Sequence, residues 1–241
     1  MRIKIFYNMR SKSISFFIPC RQGSQRIANK NTKTFSGVHG GLFKIKIDQL
    51  LSIDNDIPIV ISTDDKEVID IANSYNDKRI TVHSRPKYLC QSSTKVIDLI
   101  MYVPTIINTK HVFWLHVTTP LVLPVVYKKT LRKYFECLDQ GYDSLMSVTK
   151  NQSFLWDQKK KEIINYDRKQ IKYPQTQDLD PLFEINHAFY AMPIENYFLY
   201  EDRIGKNPYL VELSKVEAID IDWEDDFQLA EYVFDSYVKK I

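Results

Sequence analysis

The chain has 241 residues, 44% hydrophobic and 26% charged, which is enough apolar material for one domain of ordinary size with a full core. Its 33 basic and 30 acidic residues nearly cancel, leaving a formal charge of +3. That balance excludes, as defaults, nucleic-acid and polybasic membrane binders, which need a concentrated cationic face.

Arg2, Lys4, Arg10 and Lys12 open the chain around a short apolar patch, and Ile14–Ile18 is too brief for the core of a secretory signal. Ile14–Ile18 instead reads as a buried strand. Ile57–Ile61 is a second strand, followed by Val68, Ile71, Ala72 and Tyr75 on one face of a helix. Ile80–Val82 makes a short third strand, and Val96, Leu99, Ile100 and Val103 repeat the helical spacing. The apolar stretch from His111 to Tyr127 contains two His, two Thr and two Pro, so it reads as a strand, a loop and a helix start instead of a membrane span. Leu131, Tyr134, Phe135 and Leu138 continue that helix. This cadence predicts an α/β fold, a parallel sheet covered by helices on both faces.

From Asn151 to Glu184 the pattern turns polar, with paired aromatic and Ile residues between turn residues. It reads as an inserted arm of hairpins that lids a site or meets another subunit. The parallel pattern is expected to resume at Ala188–Ala191 and to end with Ile219–Ile221. A last helix carries Phe227, Ala230, Phe234 and Tyr237 on one face. Cys20, Cys90 and Cys137 are widely spaced without a C-x-x-C, which predicts reduced thiols in a cytoplasmic protein and no zinc site.

In open parallel sheets, ligands bind beyond the carboxyl ends of the strands. After the first strand, Gly23 and Ser24 are bracketed by Arg21, Arg26 and Lys30, the composition of a polyphosphate cradle or of a solvated basic turn. The segment is neither G-x-G-x-x-G nor G-K-[ST]. Near the C-terminus, Asp220 and Asp222 stand two apart on an expected strand, so both carboxylates face one side. Paired hard oxygens suit Mg²⁺ shared with phosphates; the plainer alternative makes Asp222 a helix cap.

Together these segments resemble the CMP-sugar synthetases, the acylneuraminate cytidylyltransferases, over nearly the whole chain from Ile14. The R-x-G-S-x-x-I-x-x-K-N run from Arg21 to Asn31 resembles their nucleotide signature. Ser62-Thr-Asp, Arg85-Pro86, Leu115–Leu121, Asp143–Val148, Thr176-Gln-Asp-Leu179, Asn186–Tyr190 and Ile219-Asp-Ile-Asp222 follow in the family's order, with the Thr176 segment closest to pseudaminate-type members. The resemblance implies a Rossmann-like, doubly wound, mostly parallel sheet of the nucleotide-diphospho-sugar transferase type, in one nucleotidyltransferase domain over residues 1–241. It implies a homodimer through an inserted arm at about 151–184. It also implies condensation of CTP with an acidic nonulosonic-type sugar, releasing pyrophosphate, with Mg²⁺ as cofactor and a role in surface-glycan synthesis. Arg21, Gly23, Ser24, Lys30, Asn31 and Arg85 would bind nucleotide. His116, Gln177 and Asn186 would meet the sugar, Asp220 and Asp222 the metal. Arg21, Lys30 and Asp222 would carry the chemistry, Asp222 as candidate proton acceptor.

Several positions depart from the family. Gln25 stands where a Lys usually follows the Ser, with Arg26 next to it; His116 replaces a Gln and His187 a Gly. Gln175, Thr176 and Glu184 fall where relatives often carry Arg for the sugar carboxylate. Two alternatives follow: a cytidylyltransferase with a phosphorylated or phosphonate acceptor, or an inactive nucleotide-binding module.

Overall fold

The computed structural model describes residues 13–53 and 56–238, apart from the side chains of 237 and 238. The basic N-terminal residues and the Tyr237 side chain lie outside that description.

Strands β1 (Ile14–Pro19), β2 (Ile59–Thr63), β3 (Ile80–Ser84) and β4 (His111–Leu115) form where β-branched and aromatic runs stand between turn residues. Helices α1 (Gly41–Leu51), α2 (Lys66–Ser74), α3 (Val96–Ile106) and α4 (Pro124–Asp139) connect or follow them. The chain continues through β5 (Ser144–Asn151), the two-residue strands β6 (Trp156–Asp157) and β7 (Glu162–Ile163), and β8 (Leu182–Pro193). It then forms α5 (Ile194–Tyr200), β9 (Pro208–Glu212) and α6 (Glu224–Val233), which runs into a π-helical turn at Phe234–Val238. The main sheet has the order β3-β2-β1-β4-β8-β5-β9.

Alternation along the strands divides the core in two. Phe16 and Ile18 of β1, Phe113 and Leu115 of β4, and Phe189 and Ala191 of β8 pack with α1, α2, α4 and α6. Phe17, Val112, Trp114, Tyr190 and Met192 point the other way, onto α3 and α5. Both sheet faces are therefore dry, which explains why these strands read as continuous apolar runs.

Three expectations are corrected, and one helix is new. The segment Ala188–Ala191 does lie in the sheet, but β8 runs antiparallel to both β4 and β5. The last parallel strand is β9, paired with β5, and Ile219–Ile221 is not a strand. Of the expected hairpins, only β6–β7 pairs, and a 3₁₀ turn covers Thr176–Asp178. Helix α1 has no counterpart in the periodicity, because its residues are buried on nearly every side and a wholly buried helix shows no one-sided stripe.

Two irregularities shape the end of the sheet where the site lies. Between Met146–Tyr190 and Val148–Ile185 the β5–β8 ladder breaks, with the extra residues on β8. There Ser147 Oγ accepts from Phe189 N–H, Asn186 Oδ1 accepts from Ala188 N–H, and His187 takes φ 58°. Such a bulge re-aims side chains, here Asn186 and His187. At the start of α1, Gly41 has φ +51°, and a Cβ there would meet the Lys33 carbonyl oxygen at 2.1 Å. Only glycine lets the loop press against that helix.

Candidate active site

The loop after β1 turns back across the carboxyl ends of β1 and β4 and walls a cleft of about 470 Å³. Arg21, Ser24, Gln25, Arg26, Lys30 and Asn31 line it from the loop, His116–Thr118 from the end of β4, and Trp223 from the opposite side. Its lining side chains carry three cations and no carboxylate. Arg21 Nη1 is 3.5 Å from the Cys90 carbonyl oxygen, and Asn31 Nδ2–H donates to the Arg21 carbonyl oxygen. The guanidinium of Arg26 stacks over the Trp223 ring at 4.8 Å.

Of the other expected nucleotide residues, Gly23 shapes the loop at φ +80° without lining the cleft. Arg85 is buried and donates to the Ser62 hydroxyl and carbonyl oxygens, so its guanidinium is turned into the protein.

A second cleft of about 580 Å³ adjoins, lined by Thr149–Asn151, Glu184–His187, Lys215, Ala218, Asp220 and Asp222. Asp222 stands where the two meet. Its Oδ1 accepts from Arg26 Nη2 at 2.7 Å and lies 3.3 Å from Lys30 Nζ. Lys30, only 12% exposed, also donates to the Ile221 carbonyl oxygen at 2.6 Å. Asp222 is not the helix cap: Asp226 Oδ2 accepts from the N–H groups of Asp222 and Trp223, leaving the Asp222 carboxylate to the site.

Although Asp220 and Asp222 are not on a strand, both reach the second cleft. The Ile221 N–H bonds the Thr118 carbonyl oxygen and pins the segment to the loop after β4. Burial lifts the Asp220 carboxyl above the usual carboxylate range; Asp222 adds to the rise, while Thr118, Lys30 and His187 oppose it. Its Oδ1 is buried with no hydrogen-bond partner. An orphaned carboxylate oxygen beside a second carboxylate fits a hard divalent cation such as Mg²⁺, which keeps water and substrate oxygens as its other ligands. No group of three His, Cys, Asp or Glu converges among the described residues, so the protein would offer a pair.

His116 lines the first cleft and His187 the second, while Arg203 reaches both rings. Burial, then Arg203, His187, Lys46 and Lys30, hold the His116 imidazole well below its usual range. Burial and Arg203 lower His187 too, against Asp220, Asp222 and Glu184. Asn186 lines the second cleft and donates to Thr149 Oγ1. Gln177 lines neither; it lies on the arm, where its carbonyl oxygen accepts from Gln152 Nε2. Lys150, Lys215 and Arg203 carried no motif, and only the folded chain brings them here. Beneath the His116–Leu121 loop, Lys46 is fully buried and donates to the Thr119 carbonyl oxygen and the Tyr127 hydroxyl.

The cytidylyltransferase family model matches residues 15–239. The chain belongs to that family. This cytidylyltransferase is 29% identical over 241 residues to N-acylneuraminate cytidylyltransferase A of Danio rerio, covering 92% of the chain but only 51% of that relative. The chain thus spans about half the length of that relative. It is 28% identical over 227 residues to pseudaminic acid cytidylyltransferase of Campylobacter jejuni, covering 90% of the chain and 94% of the relative. Both matches agree with the resemblance to CMP-sugar synthetases. Among solved structures, a CMP:2-keto-3-deoxy-manno-octonic acid synthetase complexed with CTP superposes with a TM-score of 0.64 at 14% identity, covering 93% of this chain and 99% of that one. At that identity the likeness concerns the fold, which is the nucleotidyltransferase sheet expected. No helix among the described residues is long and apolar enough to cross a membrane.

Proposed function

We propose that the protein condenses CTP with an acidic nonulosonic-type sugar, giving a CMP-sugar and pyrophosphate, with Mg²⁺ as cofactor. The observation that carries this reading is Asp222, held by Arg26 and Lys30 at the seam between a cationic cleft and a mixed polar one. The first cleft suits a triphosphate, and the second leaves room for a sugar acceptor.

In this reading Arg21, Ser24, Arg26 and Lys30 bind the phosphates, which compete with Asp222 for two of the cations. The loop holds the α-phosphorus towards the seam, so an acceptor hydroxyl in the second cleft approaches it in line with the departing pyrophosphate. The cations neutralise the charge that builds on the leaving group. Asp222, released from Arg26, accepts the hydroxyl proton. Asp220 and Asp222 would hold Mg²⁺, which when bound supplies further charge neutralisation on phosphate oxygens.

The arm carries the proposed dimer interface. Phe154, Trp156, Ile164, Ile171 and Tyr173 stand exposed along it, and Leu182, Phe183 and Ile185 extend the patch along β8. A run of large apolar side chains in a polar segment suits a second copy of the chain. We place the enzyme in the cytoplasm, where CTP is made, and its product in surface-glycan synthesis.

A second reading, with a phosphorylated or phosphonate acceptor, draws on Glu184, which lines the acceptor cleft where relatives often carry Arg. Pyrophosphate release with Mg²⁺, each of four nucleoside triphosphates, and a panel of nonulosonic acids decides between them. Release with CTP and one sugar acid is the expected result. Silence across the acids, with release on a phosphorylated acceptor, favours the second reading. Failure to bind CTP overturns both.

A further inference from the structure

His116 and His187 occupy positions where the resembled family has Gln and Gly, and they face different clefts. One guanidinium joins them. Arg203, in the loop after α5, lies over Tyr190 and Trp114, its carbon 4.2 Å and 4.9 Å from the two ring centres. Its Nη1 is 3.3 Å from His116 Nε2. Its Nη2 is 3.4 Å from the Tyr190 hydroxyl and 3.5 Å from His187 Nδ1. Trp114 Nε1–H donates to the same His116 Nε2 at 3.0 Å, and the Tyr190 hydroxyl bonds His187 Nδ1.

A proton inventory then assigns both tautomers. Guanidinium and indole N–H groups can only donate. Two donors aimed at His116 Nε2 require that nitrogen to be bare, so the ring is neutral and its proton sits on Nδ1. Arg203 also donates to the Tyr190 oxygen, which directs the phenolic proton to His187 Nδ1. That nitrogen accepts as well, and the His187 proton sits on Nε2. Neither remaining nitrogen, His116 Nδ1 or His187 Nε2, has a partner among the described residues.

We propose that Arg203 is a positioning residue that, together with Trp114 at His116 and Tyr190 at His187, fixes both imidazoles as neutral single donors, His116 offering Nδ1–H to the first cleft and His187 offering Nε2–H to the second. Donors without acceptors select groups that accept without donating: nucleotide oxygens at His116 in the first cleft, and the carboxylate and carbonyl oxygens of an acylated sugar acid at His187 in the second. This selection rests on the cytidylyltransferase reading above; the tautomers do not.

Protein labelled with ¹⁵N in its five histidines, studied by long-range ¹H–¹⁵N correlation at pH 7.5, tests the assignment. His116→Gln and His187→Gly identify the two rings. The expected spectrum shows an Nδ1–H tautomer for His116 and an Nε2–H tautomer for His187. Arg203→Met, which keeps apolar bulk over Trp114 and Tyr190 but has no donor, should mix the tautomers of His187, while Trp114 Nε1–H still holds His116 as the Nδ1–H form. A charged ring or the opposite tautomer in the wild type, or an unchanged spectrum in the variant, overturns the proposal. Should Arg203→Met fail to fold, Arg203→Leu serves instead, with the same expectation for each ring. In kinetics, Arg203→Met should raise KM for the acceptor about tenfold, because it frees His187 at the second cleft, and KM for CTP less than twofold, because Trp114 still holds His116 at the first. An unchanged acceptor KM overturns the selective role. Wild-type inactivity on every sugar acid would instead overturn the function reading, leaving the spectra to decide the tautomers.

Discussion

Asp222 and Arg26 are 196 positions apart in the chain, yet Oδ1 of one and Nη2 of the other stand 2.7 Å apart at the meeting point of two clefts. The pair is exposed, with 46% of the Asp222 and 42% of the Arg26 side chain open to solvent. Exposed ion pairs contribute about 0–1 kcal/mol to stability. Its place at the seam therefore points to chemistry more than to folding. Asp222→Asn should lower pyrophosphate release at least about 100-fold, with a melting temperature within a few degrees of wild type. A variant that melts early and keeps its turnover would make Asp222 a structural residue.

Lys150 and Lys215 line the acceptor cleft and have no partner among the described residues. They stand beside Glu184 and the Asp220–Asp222 pair as cations able to meet an acidic group there. Lys215→Ala or Lys150→Ala should raise KM for an acidic acceptor roughly 5- to 30-fold, with KM for CTP unchanged. Equal effects on both constants would place the lysine in nucleotide binding.

Gly41 is required by geometry. Gly41→Ala puts a methyl group against the Lys33 carbonyl in a left-handed conformation and should cost roughly 3 kcal/mol or more. Thermal unfolding should fall by about 6–12 °C. Gly23 has φ +80° but open space around its missing Cβ. Gly23→Ala should cost only about 1 kcal/mol, so the two variants separate backbone strain from collision.

Lys46 gives a pH signature. Burial lowers its amine to about 7 from an ordinary 10.5. Between those values the unfolded chain binds the proton and the folded chain does not, so stability rises with pH across that window. Below about 7 both states are charged and this slope vanishes. Urea unfolding at pH 7.5 and 9.5 should show wild type gaining on the order of 2 kcal/mol relative to Lys46→Met. Equal gains in both proteins would mean that Lys46 stays charged in the fold.

Much of the architecture was legible because its signals are local. Short apolar, β-branched and aromatic runs marked β1–β4, helical spacing marked α2, α3 and α4, and the glycine with flanking cations after β1 marked the cleft loop. Helix α1 was hidden because burial on every side erases periodicity. The Asp220–Asp222 segment was legible as chemistry though not as a strand, since two carboxylates that reach one cleft need no ladder.

What the sequence by itself determined is the inventory: which runs must be buried, where cations and carboxylates cluster, and which family their order matches. Tertiary structure decided the direction of β8, the turning of Arg85 onto Ser62, the grip of Arg26 and Lys30 on Asp222, and the reach of Arg203 to two imidazoles. Spacings of 2 and 3.6 residues report only which face of an element is covered. Contacts between residues nearly 200 positions apart depend on how the elements stack, and no local period records that.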